Sequence, residues 1–335
     1  MKICELSAWG FENLRFRDVE TPQPGPDQVL LKFGAASVNY RDYQIVAGEF
    51  APTQPLPIIP GSDGAGEIVA TGDNVEGLSP GDRGSPLFFP EWMSGQALGT
   101  VRSVSSGLET PGVLREYGIY GQHQVCKVAS HLTDAEASCY PCAGLTAWNS
   151  LVTLSGITAG DTVLVQGTGG VAIMALQMAK AAGAQVIVTS SSNDRLQRAL
   201  QLGADHGINY VDTPNWGEVA RELTDGRGVD AVIEIGGEGT LSQSIAALRR
   251  GGHINVIGYL AGFGLGLSVI DLIERNANLH GLSVGNREQF EKMMEFVSEH
   301  GIKPVIDRTY SFEETGEALQ DIARGGNFGK LVVTI

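Results

Sequence analysis

Three glycines spaced for phosphate chemistry stand out first. Gly167, Gly169 and Gly170 follow the apolar run Thr162-Val-Leu-Val-Gln166 and open a segment, continuing through Val171, with helical spacing. At such a junction the first glycine takes the tight turn and the second lets the backbone approach a pyrophosphate. The third leaves room for the helix to pack on its strand. The helix N-terminus adds unpaired N–H groups and a partial positive charge. Another apolar run, Gln185-Val-Ile-Val-Thr189, lies at the spacing of a second strand. Residue types and spacing together point to a bound dinucleotide, although glycines alone also mark ordinary turns.

The end of the second run bears on which dinucleotide. Folds that take NAD usually place an acid there for the ribose 2′-OH. Here Ser190, Ser191 and Ser192 follow Thr189, with Arg195 one helical turn further on. A carboxylate about 5 Å from a 2′-phosphate would cost about 3 kcal/mol per charge pair at an effective dielectric near 20. Hydroxyls and an arginine turn that repulsion into attraction. The expected cofactor is therefore NADPH. The same serines would also suit a polar helix start with Ser192 or Asn193 as its cap.

These residues need elements to hold them. From about residue 162 the chain alternates strands with helices: a helix near 169–182, strand 185–189, helix 194–202, a short run His206 to Tyr210, helix Trp216 to Thr224, strand Val229 to Glu234, helix 238–249 and strand Gly252 to Ile257. Such alternation predicts a parallel sheet with the ligand beyond the carboxyl ends of its strands. The first 125 residues read differently. Short runs such as Gln28 to Phe33 and Ala65 to Ala70 are separated by turn signals, which predicts a β-rich, barrel-like unit. Between Ser85 and Leu114 there is little periodicity, and a loop of that length serves as a lid, a pocket wall or a partner contact. After 270 a strand-like run near 278–284, a helix from Arg287 to His300 and a last strand near 329–334 are too short for a core of their own. They are expected to pack back on the N-terminal unit.

Composition narrows the class. At 335 residues the chain exceeds the size of one core, and 42% hydrophobic residues can fill two. A formal charge of −15 argues against nucleic acid or an anionic membrane as partner. Glu5 interrupts any signal-peptide core, and the longest apolar tract, Ile257 to Ile270, is too short to span a bilayer, so cytoplasmic residence is expected. Cys4, Cys126, Cys139 and Cys142 do not form a disulfide pattern. The Cys139-Tyr-Pro-Cys142 pair lacks companions for zinc and is read as packing, with a redox role as the alternative.

An ordered series of motifs now accumulates: Val38-Asn-Tyr-Arg-Asp42, Pro60-Gly-Ser-Asp-Gly-Ala-Gly-Glu67, Gly81-Asp-Arg83, Cys142-Ala-Gly-Leu-Thr-Ala-Trp148, the glycine turn, Leu202-Gly-Ala-Asp-His206, Ile208-Asn-Tyr210 and Phe328-Gly-Lys330. In this series the chain resembles, over essentially its full length, the medium-chain dehydrogenase/reductase superfamily. It is most similar to the zinc-independent quinone oxidoreductase and alcohol dehydrogenase-like branch. The resemblance implies an α/β fold: a Rossmann-type doubly wound parallel sheet at 127–270, and a β-rich GroES-like barrel domain from 1–126 and 271–335 that binds substrate. It also implies a cleft between them. It adds Thr146, Tyr210, Gly258, Tyr259 and Lys330 to the cofactor-binding set of Gly167, Gly169, Gly170, Val171, Ser190, Ser191 and Arg195. A homodimer through the edge strand near 278–284 is implied as well.

The departures from the family shape the expected chemistry. Zinc-bearing members carry a cysteine where this chain has Asn39 and a histidine where it has Ser62, and only Cys142 falls at a ligand position. One thiolate cannot hold a tetrahedral zinc. The 85–115 stretch lacks the four cysteines of a structural zinc lobe. No metal is therefore expected. Quinones and α,β-unsaturated carbonyls spread incoming charge by conjugation and depend less on a Lewis acid than simple ketones do. Asn39, Tyr40 and Arg41 are the catalytic candidates: Asn39 as donor to the substrate oxygen, Tyr40 as proton source, Arg41 for developing charge or cofactor phosphate. Each also has a structural reading: Asn39 as a turn cap, Tyr40 as core, Arg41 in an ion pair with Asp42. Gln44 and Phe50 stand where quinone oxidoreductases carry tyrosines. The expectation is NADPH-dependent reduction of a small-molecule quinone or enone. The alternatives are an NADP-dependent alcohol dehydrogenase acting on an alcohol/ketone pair, without zinc or with a metal held by other ligands, and a non-catalytic NADPH-binding protein.

Overall fold

The protein is described here by a computed structural model covering all residues except 98, 100, 101 and 265. Those positions of the expected 85–115 loop and 257–270 tract lie outside the described residues. The chain divides into two compact units, Met1–Leu145 with Val284–Ile335, and Thr146–Ser283. The sequence reading had set the boundaries earlier, at 126/127 and 270/271.

The second unit is a six-stranded parallel sheet. Its strands lie in the order His206–Asn209, Gln185–Ser190, Thr162–Gln166, Val229–Glu234, Leu248–Val256 and Asn278–Gly281. This is the doubly wound arrangement: the chain winds outward from Thr162–Gln166 in one direction, then returns to its other side. The strand order reverses between Thr162–Gln166 and Val229–Glu234, so the crevice for a ligand opens at the carboxyl ends of those two strands. Val163, Leu164, Val165, Val232 and Ile233 are wholly buried, as strands covered on both faces require. Each such side chain contributes about 1.5–3 kcal/mol of burial. The edge strand corrects one expectation. Asn278–Gly281 does not pack back on the N-terminal unit; it pairs with Leu248–Val256, Asn278 opposite His253 and Gly281 opposite Val256, and so extends the parallel sheet.

The first unit is β-rich. Strands Ile306–Tyr310, Lys330–Thr334, Gln28–Val38, Asp63–Thr71, Arg83–Pro86 and Val125–Lys127 follow one another in a sheet, and Tyr117–Gly121 adds to Gln28–Val38. The C-terminal strand Lys330–Thr334 lies against Gln28–Val38, with Leu331 opposite Val38. That pairing places Lys330 beside Asn39, although 291 positions separate them in sequence. The non-periodic stretch after Pro86 is held by its own aromatic packing. Phe88, Phe89 and Trp92 are buried, with Phe88 edge-on to Phe89 at 4.7 Å.

Candidate active site

In the first unit the chemistry gathers where three segments meet. Asn39 ends strand Gln28–Val38 and caps helix Tyr40–Ala47. Its backbone N–H donates to the Asp42 carboxylate at 2.9 Å, one arm of a capping box. The Asn39 side chain turns elsewhere. Its Nδ2 donates to Ser62 Oγ at 3.2 Å and to Asp63 Oδ2 at 2.9 Å, and its Oδ1 accepts from Lys330 Nζ at 2.5 Å. Lys330 also donates to the Val38 carbonyl at 3.0 Å, and its Nζ lies 3.8 Å from Asp63 Oδ2. Ser62 Oγ donates in turn to Asp42 Oδ1 at 2.8 Å.

Most of this cluster is buried. Asp42, Ser62 and Asp63 are fully buried and Lys330 is 3% exposed. Burial pushes the Asp63 carboxyl up to about 7, against the pull of the Lys330 ammonium and the Asn39 N–H, which favour the charged form. Asp63 Oδ1 is buried with no hydrogen-bond partner. Burial raises Asp42 too, with Arg41 opposing it.

The three catalytic candidates part company here. Both N–H bonds of Asn39 are taken by Ser62 and Asp63, so its expected role as donor to a substrate oxygen is not available in this geometry. Arg41 is committed as well. Its Nη1 donates to the Ser106 carbonyl and its Nη2 to Ser105 Oγ, both at 2.9 Å, and its guanidinium stacks 4.7 Å from the Phe88 ring centroid. It tethers the 85–115 loop, and its nearest approach to Asp42 is a long 3.9 Å. Tyr40 alone remains open, 37% exposed, with its ring beside Tyr43. Lys330, expected at the cofactor, spends its ammonium inside the barrel. Asp63 escaped the sequence reading altogether; its position directly after Ser62 was the available signal.

In the second unit the expected glycine turn forms. Gly167 has φ +73°, and a Cβ built on either Gly167 or Gly169 would meet no atom within 4 Å. Helix Gly170–Ala181 starts there, carrying Gly170 and Val171 in its first turn. At the neighbouring strand end, Arg195 Nη2 donates to Ser191 Oγ at 3.0 Å and its Nε lies 3.4 Å from Ser190 Oγ. Ser192 caps helix Asn193–Gln201, so the two readings of the serines divide among them. Tyr210, 43% exposed, is joined to this corner by its N–H on the Ser190 carbonyl. Gly258 follows strand Leu248–Val256 so closely packed that a Cβ would fall 2.4 Å from the Ile235 carbonyl oxygen. Tyr259 stacks on Phe263 at 4.9 Å. Thr146 is buried at 2% exposure, its carbonyl accepting from Ser150.

The four thiols are free. Burial pushes Cys4, Cys126 and Cys139 up to about 12 and Cys142 further still, which fits packing.

Comparison with known proteins identifies the family. Residues 25–132 match the alcohol dehydrogenase GroES-like domain, and residues 170–299 the zinc-binding dehydrogenase family. A zinc-type alcohol dehydrogenase-like protein of Schizosaccharomyces pombe is 39% identical over 333 residues, spanning 97% of this chain and 96% of its own. The chain belongs to the medium-chain dehydrogenase/reductase superfamily. Human quinone oxidoreductase is 29% identical over 335 residues, covering 97% of this chain and 95% of the relative. The crystal structure of an NAD-dependent alcohol dehydrogenase superposes with a TM-score of 0.90 at 30% identity over all of both chains. As a superfamily member, the protein is an NAD(P)H-dependent oxidoreductase with a Rossmann-type unit and a GroES-like unit. No helix among the described residues is long and apolar enough to cross a membrane.

Two groups associated with this superfamily can be tested against the side chains present. A dinucleotide fits: the open space over Gly167 and Gly169 and the Ser190–Ser191–Arg195 corner offer backbone approach and anion contacts. Zinc does not fit the Asn39–Ser62–Cys142 corner. The amide and hydroxyl are hydrogen-bonded to Asp63, Asp42 and Lys330, a single thiol cannot make a tetrahedral site, and an ammonium already lies 2.5 Å from the amide oxygen. Among the described residues no group of three or more His, Cys, Asp or Glu could hold a metal ion.

A pH test follows from Asp63. Its folded value is raised above the unfolded one of 3.8, so the stability it contributes is full below that value and declines until about pH 7. D63N mimics the protonated acid. The stability of D63N relative to the unsubstituted protein should therefore rise between pH 4 and 7, at most about 1.4 kcal/mol per pH unit, and level off above. Urea unfolding across that range checks it. A difference that stays flat would mean Asp63 does not titrate there.

Proposed function

We propose that the protein is a zinc-independent NADPH-dependent reductase of quinones or α,β-unsaturated carbonyls. The observation that carries this reading is the Lys330–Asn39–Ser62–Asp63 cluster, in which the amide and hydroxyl at two of the family's zinc-ligand positions are hydrogen-bonded and an ammonium lies beside them. Without a metal to polarise a carbonyl, an acceptor that delocalises charge through conjugation has the lower barrier. The likeness to human quinone oxidoreductase supports the same class of acceptor.

NADPH, when bound, supplies the hydride. The chain's own residues have the remaining tasks. Ser190, Ser191 and Arg195 would take the 2′-phosphate, with Tyr210 beside them, and the Gly167–Gly170 turn would take the pyrophosphate. Val171, Thr146, Gly258 and Tyr259 complete the cofactor-binding set on the second unit. On the first unit, Tyr40 is the side chain left free to orient or protonate a substrate oxygen. The alternative of an alcohol dehydrogenase acting on an alcohol/ketone pair draws support from the 39% identical relative, which is named a zinc-type alcohol dehydrogenase-like protein.

We also propose a homodimer formed by edge strand Asn278–Gly281. Its outer side has no strand partner in the described sheet, and the preceding helix Val269–Arg275 leaves Val269, Ile270 and Ile273 at 65–72% exposure.

Steady-state assays with a quinone, an enone and an alcohol/ketone pair should show NADPH-dependent turnover of one of the first two, undiminished by prior dialysis against a strong chelator. Stoichiometric zinc in the purified protein, or preference for the alcohol/ketone pair, would reject the reading. Arg195→Asp should abolish or reverse the preference for NADPH over NADH, a change of about tenfold or more in the KM ratio. An unchanged ratio would remove the phosphate assignment. Light scattering after size exclusion should give twice the 35.4 kDa chain mass, and I270D/I273D should give the single mass; a monomeric unsubstituted protein sinks the dimer.

A further inference from the structure

The two strands that flank the switch point each end in a buried polar residue. Thr162–Gln166 ends in Gln166, 6% exposed, and Val229–Glu234 in Glu234, fully buried. Gln166 Nε2 donates to Glu234 Oε2 at 2.6 Å and to Ser244 Oγ at 2.8 Å. Glu234 Oε1 accepts from the backbone N–H of Gly236 at 2.9 Å, from that of Gly237 at 3.0 Å, and from the Thr240 hydroxyl. Ser244 donates to the remaining oxygen. One buried carboxylate thus collects five donors. Gln166 Oε1 in turn accepts from the N–H groups of Ile235 and Gly236.

What these bonds hold is the floor of the dinucleotide site. Gln166 directly precedes Gly167, the start of the phosphate turn. The 235–239 segment is laced to 260–262, with Ala261 N–H on the Gly236 carbonyl at 2.7 Å, Leu260 N–H on Ile235, and Gly239 N–H on Ala261. That places Gly258 and Tyr259 under the same control. We propose that Glu234, through Gln166 and the Gly236–Gly237 backbone, is a positioning residue that sets the phosphate turn and the 258–262 loop in register for cofactor binding. This rests on the reading of the site as a dinucleotide site. It assigns Glu234 no contact with the cofactor.

Hydrogen-bond polarity makes the idea testable. In E234Q the new amide can still accept from Gly236, Gly237 and Thr240, but its NH₂ must face the NH₂ of Gln166, donor against donor. If Gln166 flips to relieve this, it abandons the N–H groups of Ile235 and Gly236. Exchanging the two side chains restores complementarity, because a carboxylate at position 166 accepts from an amide at position 234 and from both backbone groups.

The experiment measures the NADPH dissociation constant by fluorescence, KM and kcat at saturating NADPH, and thermal unfolding. E234Q should weaken NADPH binding about tenfold or more and raise KM for NADPH while kcat changes much less. Q166E/E234Q should recover binding to within about threefold of the unsubstituted protein. Thr240→Val, a milder loss of one donor, should shift KM in the same direction, and it stands in if E234Q does not fold. Wild-type binding by E234Q (or by T240V in its place), or a double variant no better than the single, overturns the proposal alone. Failure of the unsubstituted protein to bind either dinucleotide overturns the functional reading and this proposal together.

Discussion

A single ammonium buried in the GroES-like unit organises much of what surrounds it. Lys330 reaches Asn39 only because the last strand pairs with Gln28–Val38, and in doing so it fixes the amide's orientation. With Oδ1 turned to the lysine, Nδ2 has to face Ser62 and Asp63. The chain reversal, the entry to helix Tyr40–Ala47 and the protonation of two buried acids are thus coupled through one side chain. Removing a charge from water is expensive, and the expense is tolerable here because each donor has an acceptor close by. Asp63 is the exception, with one oxygen unpartnered, and that is where burial prevails over the lysine's pull.

As the proposed dinucleotide site, the second unit solves a different problem with the same means. A dinucleotide site must present bare backbone to an anion, so its glycines cannot be held by side chains of their own. The support has to come from below, from polar groups at the ends of buried strands. Gln166 and Glu234 provide it with hydrogen bonds to backbone N–H groups, which leave the upper surface free. At the neighbouring strand, Arg195 is held over two serine hydroxyls by its own helix turn. Rigid supports beneath and small groups above are what close approach of a ligand requires.

Periodicity made the parallel sheet legible, because buried strands between amphipathic helices leave a strong local pattern. The glycine turn and the serine–arginine corner were readable for the same reason: their residues lie within a few positions of one another. The barrel cluster was not. Asn39, Ser62 and Lys330 are joined by strand pairings across the whole chain, and pairings between distant segments leave no periodic trace. Asn39 was accordingly assigned to a substrate and Arg41 to charge stabilisation, whereas tertiary hydrogen bonds already satisfy both. The edge strand was misplaced for a related reason. Its four residues carry too little pattern to say which sheet they join, and the ladder beside Leu248–Val256 decides it.

The lobe that follows Pro86 has a consequence of its own. Its cohesion comes from rings in contact and from a guanidinium sandwiched against Phe88 while bonded to Ser105 and Ser106. Stacking of this kind, shielded from water, is screened little by salt and owes nothing to thiol redox state or trace-element supply. This part of the enzyme therefore keeps its packing as ionic strength rises.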